Sequence, residues 1–171
     1  MAEGSSHHRG RLLLLSKVKK LCLCFLPLFL GYLYLQNTLN IDEPLAVSIG
    51  RSMEPNIREG DILVFRGIRP EEIEVGDVIV FKVPEEMGEL LPPRITHRVI
   101  EIRQENGDIY FRTKGDNAPL DTYEIPASNI VGLNVAVVPY VGLPLLFAQR
   151  PVGIIVILFL VFAPQFRGYE G

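Results

Sequence analysis

Tryptophan is absent from these 171 residues, cysteine occurs twice and histidine three times. Each scarcity excludes something. Cys22 and Cys24 both lie inside one uncharged apolar run, and two positions apart on a helix they face different directions and cannot pair. Everything after residue 41 therefore lacks a disulfide framework, a cysteine nucleophile and any thiolate metal site. His7 and His8 belong to a polar N-terminal stretch, which leaves His97 as the one histidine of the main body. A clustered basic face is missing too: residues 41–149 hold ten Lys or Arg against eighteen Asp or Glu, with the cations scattered among the acids. A nucleic-acid partner needs a concentrated basic footprint, so none is expected.

What the chain does have is apolar length. Residues 21–41, LCLCFLPLFLGYLYLQNTLNI, run for twenty-one residues without a charge, and about 20 helical residues cross a bilayer core. A cleavable leader has a shorter apolar part, roughly 7–15 residues, closed by small residues in an A-x-A-like pattern. YLQNTLNIDEP offers no such pattern, so residues 21–41 are expected to be a transmembrane anchor in a lipid bilayer. Arg9, Arg11, Lys17, Lys19 and Lys20 precede it against Glu3 alone. Residues 1–20 then form a cytoplasmic basic tail, and the acidic body lies on the exported side. A second run, PVGIIVILFLVFAPQF at 151–166, is short for a span, but Leu143 to Phe147 lengthen it if Arg150 snorkels. Residues 143–166 are expected to be a second transmembrane or an interfacial helix, followed by a short tail at 167–171.

Between these ends, runs rich in Val, Ile and Phe alternate with Gly, Pro and Asp, as in a mainly β domain occupying 42–142. The expected strands are Leu45 to Ile49, Asp61 to Phe65, Asp77 to Lys82, Ile95 to Arg103, Ile109 to Lys114 and Ile130 to Val138. GDILVF at 60, GDVIVF at 76 and GDIYF at 107 each place a Gly-Asp turn before a strand. The third closes a hairpin between RVIEIRQ and IYFRTK. Unequal spacing makes these echoes shared turn chemistry and no solenoid repeat. VPEEMGELLPPR, residues 83–94, reads as an exposed loop.

Histidine is the side chain whose charge changes near neutral pH, and His97 stands mid-strand in ITHRV. Simple alternation puts Ile95, His97 and Val99 on one face and Thr96, Arg98, Ile100 and Ile102 on the other. By itself a lone histidine on an apolar face is an ordinary core residue. Ser52, in SIGRSMEPNIREGD, follows a strand and precedes Met53, Glu54 and Pro55. A serine in such a bend can expose its hydroxyl and aim its own N–H at a developing oxyanion. By itself it is an ordinary turn residue.

Together the motifs say more. SMEP, GDVIVFKVP, THRV and TKGDNAPLD, in that order after an N-terminal anchor, resemble the type I signal peptidases, specifically the endoplasmic-reticulum and archaeal type, over roughly residues 21–145. The resemblance implies a signal-peptidase-like β domain on the exported side. It implies Ser52 as nucleophile and His97 in the place where the bacterial branch carries a lysine general base. A lysine must be strongly desolvated to be neutral near pH 7, whereas a histidine needs little shift. A carboxylate on its other nitrogen fixes the histidine tautomer. Asp116 and Asp121 both match acidic positions of the last motif. Asp121 is favoured as the partner of His97, with Asp116 structural or assisting, because an Asp in GDN suits capping its own turn.

The implied reaction needs no metal or organic cofactor. Its substrates are exported preproteins carrying signal peptides with small residues before the cut, held extended beside a strand, with Ile49 and Ile95 as wall candidates. Export machinery or accessory subunits are the expected protein partners. One departure stands out: family members commonly have a Ser-Gly pair before the nucleophile, and here Gly50 and Arg51 stand there. The Ser52 N–H remains, and the second oxyanion donor is left without a candidate. Two rival readings stay open. One is a catalytically inactive membrane-anchored β domain that scaffolds an export complex. The other is a self-cleaving regulator using Lys82 in place of His97, with Lys114 as a further lysine near the acids.

Overall fold

The computed structural model describes residues 19, 22–23, 25–84 and 91–166, with side chains as far as residue 162. The basic tail apart from Lys19, Cys24, the centre of the 83–94 loop and the tail at 167–171 lie outside the described residues. The chain divides into two units, Met1–Asn40 and Ile41–Gly171. In the first, residues 25–39 form helix α1, whose Phe25, Leu28 and Phe29 are exposed. Among the described residues no single helix is long and apolar enough to cross a membrane.

Among the described residues the second unit holds one antiparallel sheet of seven strands in the order β1-β2-β7-β3-β4-β5-β6. The strands are β1 Leu45–Val47, β2 Ile62–Arg66, β3 Val78–Lys82, β4 Arg94–Glu105, β5 Asp108–Lys114, β6 Ile125–Pro126 and β7 Ile130–Val138. All six expected strands have counterparts. β1 stops short of Ile49 because Gly50, at φ 90°, turns the chain out of the extended region. β6 was not expected: two residues are too few for an alternation to register. The β4–β5 hairpin closes where Glu105 faces Asp108, across Asn106 (φ 54°) and Gly107 (φ 92°). Two successive left-handed residues give the twist that suits an antiparallel hairpin.

Alternation along β4 needs one correction. The register against β5 shifts between Val99 and Glu101, so a bulge moves Ile102 onto the face of Ile95 and Val99, where all three belong to one core. That core gathers Ile73, Ile79, Phe81, Val99, Phe111 and Ile125. Val80, between Ile79 and Phe81 on β3, instead joins Met53, Ile57, Leu63 and Phe65. β3 thus carries a hydrophobic cluster on each face, as an interior strand of the sheet should.

After β7 come α2, Leu143–Gln149, and α3, Pro151–Phe166. They do not merge into one longer helix, as the sequence suggested, but bend by 90°. Proline at 151 drives the preceding residue out of helical space, and Arg150 is extended at φ −79°, ψ 146°. Gly153 permits the tight elbow: a Cβ there would lie 1.8 Å from the Phe147 carbonyl oxygen.

Candidate active site

Ser52 opens the turn that follows β1. The Ile57 N–H donates to the Met53 carbonyl (3.0 Å), making a single helical turn, and the buried Met53 and Ile57 root it in the core. The far end of the turn is held as well. Buried Asp61 accepts from the N–H groups of Arg58 (2.8 Å) and Tyr140 (3.0 Å), and Arg150 pairs with Glu59 at 3.3 Å. Ser52 is half-buried, its carbonyl accepts the Asn117 N–H at 2.7 Å, and its own N–H has no acceptor among the described residues.

His97 projects from the middle of β4 opposite Ile79, with its ring edge-on to Phe81 at 6.5 Å between centroids. It is 7% exposed, so little solvent competes for its nitrogens. Nε2 lies 3.2 Å from the Ser52 hydroxyl, and Nδ1 lies 2.7 Å from Asp121 Oδ2. In the tautomer with Nδ1 protonated, the hydroxyl donates to the ring and the ring donates to the carboxylate. The structure therefore brings Ser52, His97 and Asp121 into one hydrogen-bonded row. Gly115 packs against it: a Cβ at that position would sit 2.6 Å from the Ser52 carbonyl oxygen and 3.0 Å from His97 Nε2.

Asp116 takes a different place. Its carboxylate is gripped by both arms of Arg98, at 2.8 and 2.7 Å, and by the Asn56 side chain at 2.7 Å. It does not cap its own turn. The reason is geometric: Arg98, next to His97 on β4, points to the opposite face and meets the carboxylate there, so Asp116 joins that strand to the turn bearing Ser52. The Arg98 guanidinium holds the Asp116 carboxyl below the usual carboxylate range, against the opposing effect of burial. Burial pushes the Tyr123 phenol up to about 12, with the charge of Asp121 adding to it.

Beside the row opens a cavity of about 650 Å³, lined by Ser52, His97, Ile49, Ile95, Met53 and Val80 among others. Ile49 is 76% exposed and Ile95 half-buried. Lys82 and Lys114 are exposed, line no part of this cavity and make no ion pair among the described residues. Arg51 turns aside to pair with Glu54 at 2.9 Å. Sequence reasoning missed Arg98, Asn56, Thr113 and Gly115. The signal for Arg98 was its adjacency to His97, and for Thr113 and Gly115 their place inside TKGD.

No family model matches the chain. It is 37% identical over 111 residues to the human signal peptidase complex catalytic subunit SEC11C, an alignment covering 60% of this chain and 55% of the human protein. The mouse SEC11C matches to the same extent. The chain thus spans about half the length of these mammalian relatives. It is 31% identical over 137 residues to the signal peptidase complex catalytic subunit SEC11 of Clavispora lusitaniae, covering 75% of this chain and 79% of that protein. With that coverage, and with its motifs in order on the sheet described above, the chain belongs to the family of signal peptidase complex catalytic subunits.

Proposed function

We propose that this chain is a membrane-bound serine endopeptidase that removes N-terminal signal peptides from exported preproteins. The observation that carries the reading is the row Ser52 Oγ, His97 Nε2, His97 Nδ1, Asp121 Oδ2, with both links within hydrogen-bonding distance. Ser52 attacks the carbonyl carbon of the scissile bond as its proton passes to His97. The imidazolium returns that proton to the leaving amine, and a water activated by the same ring releases the acyl enzyme. Asp121 orients the ring and stabilises its charge. The Ser52 N–H, with no acceptor among the described residues, is the oxyanion donor at hand.

The substrate lies in the cavity between Ile49 and Ile95. Among the described residues β4 before Arg98 pairs only with β3, which leaves its other edge for an extended peptide. Small residues fit there because shallow walls exclude bulk. The exposed apolar helices support the membrane part of the proposal: residues 21–41 as anchor, 143–166 in or on the bilayer, 42–142 on the exported side and the N-terminus in the cytoplasm. The membrane is of the endoplasmic-reticulum type or a cell membrane, and the relatives' names suggest accessory subunits as partners.

The test is cleavage of a model preprotein by the detergent-solubilised full chain. Ser52→Ala and His97→Ala should lose several orders of magnitude in kcat, and Asp121→Asn about 10⁴-fold. Wild-type rates in Ser52→Ala would overturn the serine mechanism, and a parent chain that cleaves nothing would leave only the inactive scaffold.

A further inference from the structure

One buried hydroxyl touches the row without belonging to it. We propose that Thr113 is the positioning residue of the catalytic row, its side chain fixing the rotation of the Asp121 carboxylate so that an oxygen is held against His97. The inference rests on the serine-peptidase reading above.

Thr113 Oγ1 donates to Asp121 Oδ2 at 2.6 Å, the same oxygen that meets His97 Nδ1 at 2.7 Å. In return the Asp121 N–H donates to the Thr113 carbonyl at 3.2 Å, so the two residues are joined twice and form a closed ring. Their supports differ. Thr113 stands on β5, paired with Val99 two positions beyond His97 on β4, and on the core face that also buries Phe111. Asp121 belongs to the irregular segment between β5 and β6. A carboxylate on such a segment can turn about its last bond and carry both oxygens away from the line to His97. The hydroxyl of a β-branched residue has few rotamers, and at 0% exposure no water competes for it. The strand thus lends its rigidity to the loop acid, through one proton donated to one oxygen. A shared acceptor also tempers the charge that Asp121 shows the imidazole. A carboxylate relieved of the threonine donor grips a protonated ring harder.

Val is nearly isosteric with Thr and lacks the hydroxyl, which defines the experiment. In preprotein cleavage by the full chain, Thr113→Val should fall roughly tenfold to a hundredfold in kcat, by analogy with the loss when outer partners of a metal-bound imidazole are removed. KM should be little changed, and the acid limb of the kcat/KM profile should move to higher pH. Thr113→Ser should recover most of the rate. The double variant Thr113→Val/Asp121→Asn should be no slower than Asp121→Asn alone, since the hydroxyl acts through the acid. If Thr113→Val does not fold, Thr113→Ser and Thr113→Ala lose the same methyl and differ only in the hydroxyl. Equal kcat in that pair overturns the proposal. So does wild-type kcat with an unmoved acid limb in Thr113→Val, the outcome of a packing role that lowers thermal stability alone. Ser52→Ala, run in parallel, separates the failures. If it is inactive while Thr113→Val is normal, only the positioning role falls; if it cleaves, the peptidase reading falls.

Discussion

Asp116 and Asp121 lie five positions apart in TKGDNAPLD, and the difference between them comes from what faces each. Asp121 meets His97 and Thr113, whereas Asp116 meets Arg98 and Asn56. The sequence favoured Asp121 as the histidine's partner for a reason the structure does not bear out, since Asp116 does not cap its own turn, and the actual employment of Asp116 was not legible at all. It depends on a guanidinium one residue from His97 and on an amide sixty positions away, and no local pattern links those. The consequence is a pH dependence of stability. A carboxyl held below its ordinary value contributes stability that is complete above the unfolded-chain value of 3.8 and is lost as pH falls through the lower folded value. Asp116→Asn should therefore be less stable than wild type at neutral pH, with the gap closing as pH is lowered from about 5 to about 2. Urea midpoints across that range measure it, and a pH-independent gap would contradict the assignment.

At the scale of elements, strands were easier to read than their faces. The β4 bulge at Val99 to Glu101 changed the side to which Ile102 belongs, and nothing in RVIEIR announces an extra residue, because a bulge is decided by the partner strand's register. The helices tell a similar story. Composition alone could not distinguish one long apolar helix from two meeting at an angle, although Pro151 carried the hint. The elbow can be opened by one methyl group. Gly153→Ala would put a Cβ 1.8 Å from a backbone oxygen of α2, which cannot swing aside as a side chain could. Spin labels at 145 and 157, in a background with Cys22 and Cys24 replaced, should report a longer interhelical distance in Gly153→Ala than in the parent. An unchanged distance would mean that Gly153 does not set the angle.

For the whole molecule, the readable part was the order of motifs: a β domain between apolar ends, a serine before its first long hairpin, a histidine within it and acids after it. The three-dimensional part was how β4, the loop after β5 and the turn after β1 meet at His97, beside the cavity. Position 52 is also inseparable from the packing below it. Met53, its immediate neighbour, and Ile57 share a buried cluster with Leu63, Phe65 and Val80, the interior of the sheet's β2–β3 half. Ser52 adjoins a buried residue rather than sitting on a flexible stalk, so its turn is expected to unfold together with this cluster. On slow heating, loss of the proposed peptidase activity and loss of ellipticity should follow one curve with one midpoint. An enzyme that stopped cleaving several degrees before it unfolded would mean that the turn melts independently.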